Sequence, residues 1–419
     1  MLNRRYIWCV EIAGGRRFSD GIGVGVLTRT FRRDLVDDVL VRTRKTQQRS
    51  RLLPARVVVY YVLALCLFFD DSYEEVMRKL VNGLRFLGSW TDGWRVPTPS
   101  AISQARTRLG EEPLAELFLN VAHPMARPGQ AGSWFHGWRV MAVDGVVLDV
   151  PDTPDNLTEF GKSGSGKQIS PFPQVRIVGL GECGTHAIVA AAFDGWRVYE
   201  RELTLRLLDQ VEPDMLVLAD RGFYSYDLWS EFLDTEAALV WRIRDTIDLP
   251  VLDWLPDGSY RSELVPKAMK AQFKAKKLKA IPDEARIPVR VVEYMVANRG
   301  ESETIRLVTS ILDHERAAAG ELAVLYQQRW EFELTLDEVE THQMSRSRVL
   351  RSKTPELVRQ ELWALLLTHY AVRDFMREAA DDIGEDTDRI SFMRSIRVIR
   401  RQVLNQADFS PSSPRRGDT

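Results

Sequence analysis

The chain has 419 residues, 45% of them hydrophobic and 28% charged, with a formal net charge of −2. That is enough apolar content for two or three domains with real cores, and the overall charge by itself announces no nucleic-acid partner. Cys9, Cys66 and Cys183 form no CxxC pair, which excludes a zinc ribbon and a disulfide scaffold and suits a reducing cytoplasm, and the 6 histidines show no HxxxH or HxH spacing, which argues against a histidine metal site.

Residues 1–50 are mixed, Gly- and Arg-rich, and read as partly irregular. Residues 1–56 carry 13 Lys/Arg against 5 Asp/Glu, a first basic run. No charged-then-apolar leader pattern opens the chain, so nothing there argues for export. From Leu52 to Val121 the apolar period is helical. The longest apolar run, Val57 to Phe69, spans 13 residues, too short to cross a bilayer, and reads as a buried helix. Ser72 with Glu75 forms a capping box for the next helix. A Gly/Trp/Pro-rich loop covers roughly 88–98. Ser100 to Leu109 then reads as a short helix capped by Ser100 and stopped by Gly110, made basic by Arg106 and Arg108. Helix, loop and short basic helix suit a helix-turn-helix entering a DNA groove, and equally a plain helical bundle.

Composition changes near 134–140. Arg139 to Val150 is β-rich and apolar, as a central strand is. Strands follow at 174–181 and 185–193, a helix at 200–210, a fully apolar strand at Met215–Asp220, a helix around 225–235 and a strand from Ala238 to Ile243. Three strands, helix, strand, helix, strand is the order of a ribonuclease-H-like α/β core. Residues 245–315 interrupt it with turns, strand-like stretches at 287–296 and 304–312, and a second basic run of Lys267, Lys270, Lys274, Lys276, Lys277 and Lys279. Helix returns at 317–342, an apolar helix follows at about 354–377, and Arg389, Arg394, Arg397, Arg400 and Arg401 make a third basic run. The organisation is an all-α N-terminal DNA-binding domain (1–133), the ribonuclease-H-like mixed sheet (134–244), an inserted mostly-β subdomain (245–316), a core-completing helical region (317–405) and a disordered tail (406–419).

Three carboxylates stand out. Asp144 lies late in the first core strand, followed by Gly145, and Asp220 ends a buried strand. The carboxyl ends of parallel strands form the ligand crevice of such sheets, so both acids sit at its floor. Tyr326, Arg329 and Glu333 fall at offsets 0, 3 and 7, along one stripe of a helix. Glu333 can supply a third ligand, and two Mg²⁺ ions would offset the clustered charge and serve phosphodiester displacement. Read alone, Asp220 could instead cap the following helix, and Arg329–Glu333 could be a plain surface pair. Gly161 to Gln168 imitates a phosphate-binding loop. However, Gln168 replaces the Mg²⁺-binding hydroxyl, and Pro171 and Pro173 block the helix such a loop needs. Glu331 lies about 200° from Glu333 around the helix and cannot share its site.

Along nearly its whole length the chain resembles the DDE transposases of the insertion-sequence-4 family. The resemblance rests on Val143-Asp144-Gly145 with Asp152 to Asn156, on Leu218-Ala-Asp220-Arg-Gly-Phe223, and on the Y-x2-R-x3-E signature at Tyr326, Arg329 and Glu333. It implies that Asp144, Asp220 and Glu333 are the catalytic triad and bind two Mg²⁺ ions, with Mn²⁺ able to substitute. It also implies that Tyr326 and Arg329 position the DNA backbone. Implied partners are double-stranded DNA, as inverted repeats and target, and a second copy in a homodimeric synaptic complex, with no membrane. From the basic helix and the second basic run, Arg106, Arg108, Lys274, Lys276 and Lys277 are candidate DNA contacts. The family's signature ends in a Lys where this chain has Glu340, seven residues past Glu333. An anion replaces a phosphate-facing cation there unless His342, Arg346 or Arg348 substitutes. The chain is then an active transposase or an impaired copy that only binds DNA, with a nuclease lacking strand transfer as a further alternative.

Overall fold

A computed structural model of the chain describes residues 24–46, 53–85, 96–164, 168–298, 301–344 and 349–401. Six helices come first: α1 (Val24–Thr30), α2 (Arg33–Arg42), α3 (Ala55–Leu67), α4 (Tyr73–Arg85), α5 (Pro99–Leu109) and α6 (Glu112–Val121). Then follow β1 (Trp134–Phe135), β2 (Trp138–Asp149), α7 (Pro154–Phe160), β3 (Gln174–Glu182), β4 (Ile188–Gly195), α8 (Glu200–Leu205), β5 (Met215–Ala219), α9 (Tyr226–Leu233) and β6 (Ala238–Arg242). The insertion contributes β7 (Asp253–Trp254), β8 (Tyr260–Leu264), α10 (Lys267–Lys274), β9 (Ile287–Asn298) and β10 (Glu301–Thr309). Beyond it lie α11 (Ala319–Tyr326), α12 (Arg329–Asp337), a π-helical stretch (Glu338–Gln343), α13 (Pro355–Ile383) and α14 (Phe392–Arg401). The mixed α/β core is the ribonuclease-H-like fold read from the strand order.

The chain divides into two compact units. The first is built from Met1–His123, Val147–Val175 and Leu336–Thr419. Its centre is α3, buried at every position except Arg56, against the 29-residue α13. A nearly uniform apolar sequence is what a helix enclosed on all sides requires. Thr368 of α13 donates from Oγ1 to the Leu63 carbonyl at 3.2 Å, satisfying a polar group inside that contact. α1 and α2 occupy ground expected to be partly irregular; α2 buries Val36, Val39 and Leu40, a one-sided spacing diluted by the charges around it. Ser72 does cap α4, accepting the Glu75 N–H at 3.2 Å, while the Glu75 carboxylate turns to Arg78. The cap of α5 is Thr98 rather than Ser100: its Oγ1 accepts the Ala101 N–H at 3.3 Å, and Pro99 takes the first helical position, where a missing N–H costs nothing.

The second unit is Pro124–Val146 with Arg176–Thr335. Its sheet runs β4-β3-β2-β5-β6-β10-β9-β8-β7, with β1 beside β2. β2, β5 and β6 are parallel neighbours, and every residue of β5 is buried, which explains its unbroken apolar sequence. The inserted strands hydrogen-bond into this same sheet. β10 pairs antiparallel with β6, from Leu307 opposite Arg242 to Thr309 opposite Val240, and β9, β8 and β7 follow outward.

The helix expected over 317–342 is interrupted. α11 ends at Tyr326, Gln327 and Gln328 form a turn, α12 starts at Arg329, and the winding widens to π at Glu338. No α-helix follows Gln168, whose next element is β3, so the phosphate-loop imitation stays a loop where it is described. Among the described residues no helix is long and apolar enough to cross a membrane. Cys9, residues 86–95 with most of the expected 88–98 loop, Ser165 to Lys167, Arg346, Arg348 and the expected 406–419 tail lie outside the described residues.

Candidate active site

Parallel pairing of β2 and β5 sets the site. Val143 lies opposite Ala219, so the next residues, Asp144 and Asp220, stand side by side where β5 ends. Asp144 Oδ1 accepts the Gly145 N–H at 2.8 Å, and its Oδ2 accepts from Arg329 Nη1 at 3.0 Å. The other terminal nitrogen of Arg329 meets Glu333 Oε1 at 2.6 Å, one helical turn further along α12. Tyr326 donates its hydroxyl to the Ala219 carbonyl at 3.3 Å, with Asp220 Oδ1 at 3.5 Å. All five residues belong to the second unit. The structure therefore brings Asp144, Asp220, Glu333, Tyr326 and Arg329 into one connected cluster.

Helix α12 reaches this position because β3 makes room for it. Phe332 packs on Gly179 and Gly181, and a β-carbon on Gly181 would sit 2.0 Å from its ring. Alternate residues of a strand share a face, so these glycines form a trough there. Glu331 Oε2 accepts the Gly184 N–H at 2.6 Å, and Thr335 Oγ1 lies 2.8 Å from His186 Nδ1. Glu331 is thus used to dock the helix, and the opposite face is left to present Glu333.

Burial pushes the Asp144 carboxyl up to about 6, with Glu333 and Asp220 adding like charge, against the lowering influence of the Gly145 N–H and Arg329. Burial opposes the Arg329 charge, but Tyr326, Glu333 and Asp144 together hold its pKa above the ordinary value. Burial likewise raises the Tyr326 hydroxyl, so it stays protonated and donates. Three carboxylates around one guanidinium leave a formal charge of −2, carried by oxygen donors alone. That donor set suits a hard divalent cation.

The other candidates are placed differently. Tyr326 and Arg329, the residues expected to position the DNA backbone, are each only 5% exposed, with Tyr326 on the Ala219 carbonyl and Arg329 on the carboxylates. Arg106 is 1% exposed, donating to Gln360 Oε1 at 2.9 Å, Ser352 Oγ at 2.9 Å and Tyr73 Oη at 3.0 Å. It is a core strut of the helical unit with no surface left for DNA, since its charge is satisfied inside the protein. Arg108 is exposed, as are Lys274, Lys276 and Lys277. Lys274 lies 3.4 Å from Asp248. Glu340 falls inside the π-helical stretch rather than on a continuous α-helix, so the α-helical spacing that related it to Glu333 does not hold there.

Sequence reasoning missed the Gly179/Gly181 trough, although Gly-Leu-Gly at period two inside a strand is a readable sign of close approach. It also missed Glu303 of β10, which pairs with Arg242 and lies 3.8 Å from Arg221, the residue directly after Asp220. No local signal marks that pair, because its partners meet only through the sheet.

Comparison with known proteins places the chain in a family. The Insertion element 4 transposase N-terminal family matches residues 22–119, and the Transposase DDE domain family matches residues 136–370. The transposase InsG for insertion sequence element IS4 of Escherichia coli K12 is 29% identical over 395 residues, covering 90% of this chain and 82% of that protein. The putative transposase InsZ of the same organism is 28% identical over 181 residues, covering 43% of this chain and 58% of that protein. Among solved structures, the piggyBac transposase synaptic complex with hairpin DNA overlays on 90% of this chain and 79% of that one at TM-score 0.47 and 12% identity, too slight a likeness to carry an argument. With the DDE-domain match alone spanning over half of its residues and the N-terminal family accounting for the helices before it, the chain belongs to the insertion-element-4 family of DDE transposases.

Proposed function

We propose that this transposase cleaves DNA at the inverted-repeat ends of its own insertion element and joins the freed 3′-hydroxyls to target DNA. The observation that carries the reading is the single cluster in which Arg329 ties Asp144 to Glu333 while Tyr326 reaches the end of β5 beside Asp220. Membership of the DDE family implies a divalent metal, and the all-oxygen donor set of Asp144, Asp220 and Glu333 favours Mg²⁺, with Mn²⁺ substituting. The formal charge of −2 balances one such ion, and a second needs the negative charge that a DNA phosphate brings. When bound, Mg²⁺ supplies Lewis-acid activation of the attacking oxygen and stabilisation of the leaving one.

The rest of the chemistry is positioning by the chain itself. Arg329 fixes the separation of two carboxylates that repel each other, and Tyr326 steadies the strand end that carries Asp220. Lys274, Lys276 and Lys277, with Arg394, Arg397 and Arg401 on the exposed side of α14, supply phosphate contacts that hold DNA without reading it. A homodimer would bring two ends together in a synaptic complex, in the cytoplasm, and move the element by cut and paste.

Joining of an end duplex to a target duplex in Mg²⁺ tests this. Asp144→Ala, Asp220→Ala and Glu333→Ala should each lower joining by at least about a hundredfold while leaving end binding in place. Undiminished joining by any of the three would sink the assignment. Products cut but never joined would favour a plain nuclease.

A second reading, a copy that binds ends without cutting them, is favoured by Glu340 standing where the family has Lys. Glu340→Lys separates the two. In an active enzyme it changes cleavage by no more than a few fold. In an impaired copy it restores cutting from a blank.

A further inference from the structure

Helix α5 has two faces of different character. Ile102, Ala105, Arg106 and Leu109 are buried, and Ser100, Gln104, Thr107 and Arg108 point outward. On a regular helix those four fall within an arc of about 100°. The helix, Pro-Ser-Ala-Ile-Ser-Gln-Ala-Arg-Thr-Arg-Leu, holds no carboxylate at all. A solvated helix face ordinarily mixes Glu with Lys and prefers strong helix formers; Ser and Thr on it cost stability and bring no local pairing in return. Thr107 makes one bond along its own helix, to the Ser103 carbonyl at 3.1 Å. Gln104 and Arg108 have no partner among the described residues.

That openness is local. Elsewhere in these helices arginine charge is spent inside the unit: Arg29 with Glu378 at 2.6 Å, Arg32 with Asp34 at 2.7 Å, Arg42 with Glu116 at 3.0 Å, and Arg56 with Asp37. Beyond the C-terminal stop of α5 at Gly110, Lys45 reaches Glu112 at 3.2 Å, and the side chain of its neighbour Arg44 is exposed without a partner among the described residues. The buried face is held by Arg106, bonded to Gln360 and Ser352, so the outer face is presented from a fixed helix.

We infer that α5 is the helix that enters the major groove of the element's terminal repeats, with Gln104 and Arg108 reading base edges. Gln matches the paired donor and acceptor of adenine, Arg the two acceptors of guanine, and Ser100 and Thr107 accept either role. Arg44 contributes a phosphate contact outside the groove. The assignment rests on the reading that the chain acts at its own element's ends, and it shifts recognition from Arg106, which is buried, to the residues on the opposite face.

Binding measured at one fixed salt concentration, with a terminal-repeat duplex and a scrambled duplex of equal composition, tests it. Gln104→Ala and Arg108→Ala should each weaken repeat binding about tenfold to a hundredfold and leave scrambled binding within about twofold. Arg44→Ala should weaken both duplexes alike. A scan of single base-pair changes should show each variant indifferent at the one position its residue reads. Unchanged thermal midpoints establish that the variants fold. If the wild type joins ends normally and both variants discriminate as it does, the α5 assignment falls alone. If the wild type itself prefers no repeat, the assignment falls together with the proposed function.

Discussion

Asp144 stores electrostatic strain that a cation would relieve. Its carboxyl is pushed to about 6 from an ordinary 3.8, so over that interval the folded chain keeps a proton that the unfolded chain has lost. The sign follows directly. This group's stabilising contribution is complete below the ordinary value and is lost as pH rises through about 6, costing at most on the order of 3 kcal/mol. Urea unfolding in EDTA should show Asp144→Asn more stable than wild type at pH 7.5, with the gap closing near pH 4; equal stability at both would refute the strain. Arg106 and Arg108 teach a different lesson at the same scale. Two residues apart, they sit about 200° apart on the helix, and only one can face solvent. Which one is decided by Gln360 and Ser352, 254 and 246 positions away, and no local spacing carries that information.

At the scale of elements, the Tyr326, Arg329 and Glu333 stripe was legible and the shape of its helix was not. Tyr326, Arg329 and Glu333 do meet, even though a turn at Gln327–Gln328 separates the Tyr from the other two. Polar runs such as Gln-Gln-Arg read equally well as helix or turn, so periodicity alone could not find the break. α7 was missed outright, although Thr153 capping Pro154, with Gly161 closing it, is a legible start and stop. The docking of α12 depends on the bare face of β3, and Gly181→Ala tests that dependence. The added methyl should displace Phe332, move Glu333 and lower joining about tenfold or more, with repeat binding retained. Wild-type joining by that variant would show that the trough does not place the carboxylate.

At the scale of the molecule, strand order identified the fold because buried parallel strands must be short, apolar and separated by helices, and Met215–Ala219 is all three. The assembly of a helical unit from three separated stretches was not legible, since its central contact joins α3 to α13 across most of the chain. Nor was the fate of the insertion. Its strands alternate and turn as any small β region does, and only pairing partners tell whether they close on themselves or extend a neighbour.

They extend a neighbour, and that bears on how such an element can evolve. β10 covers the edge of β6, which is one strand removed from Asp220, so the added segment is part of the sheet that carries the acidic cluster. A lineage could not vary the outer strands freely, because Arg290 of β9 donates to the Ile311 and Asp313 carbonyls and Asp257 accepts the Ala319 N–H that opens α11. It could not discard the segment whole without opening a hydrogen-bonding edge one strand from Asp220, and a chain in that state would be ready to pair with its own copies.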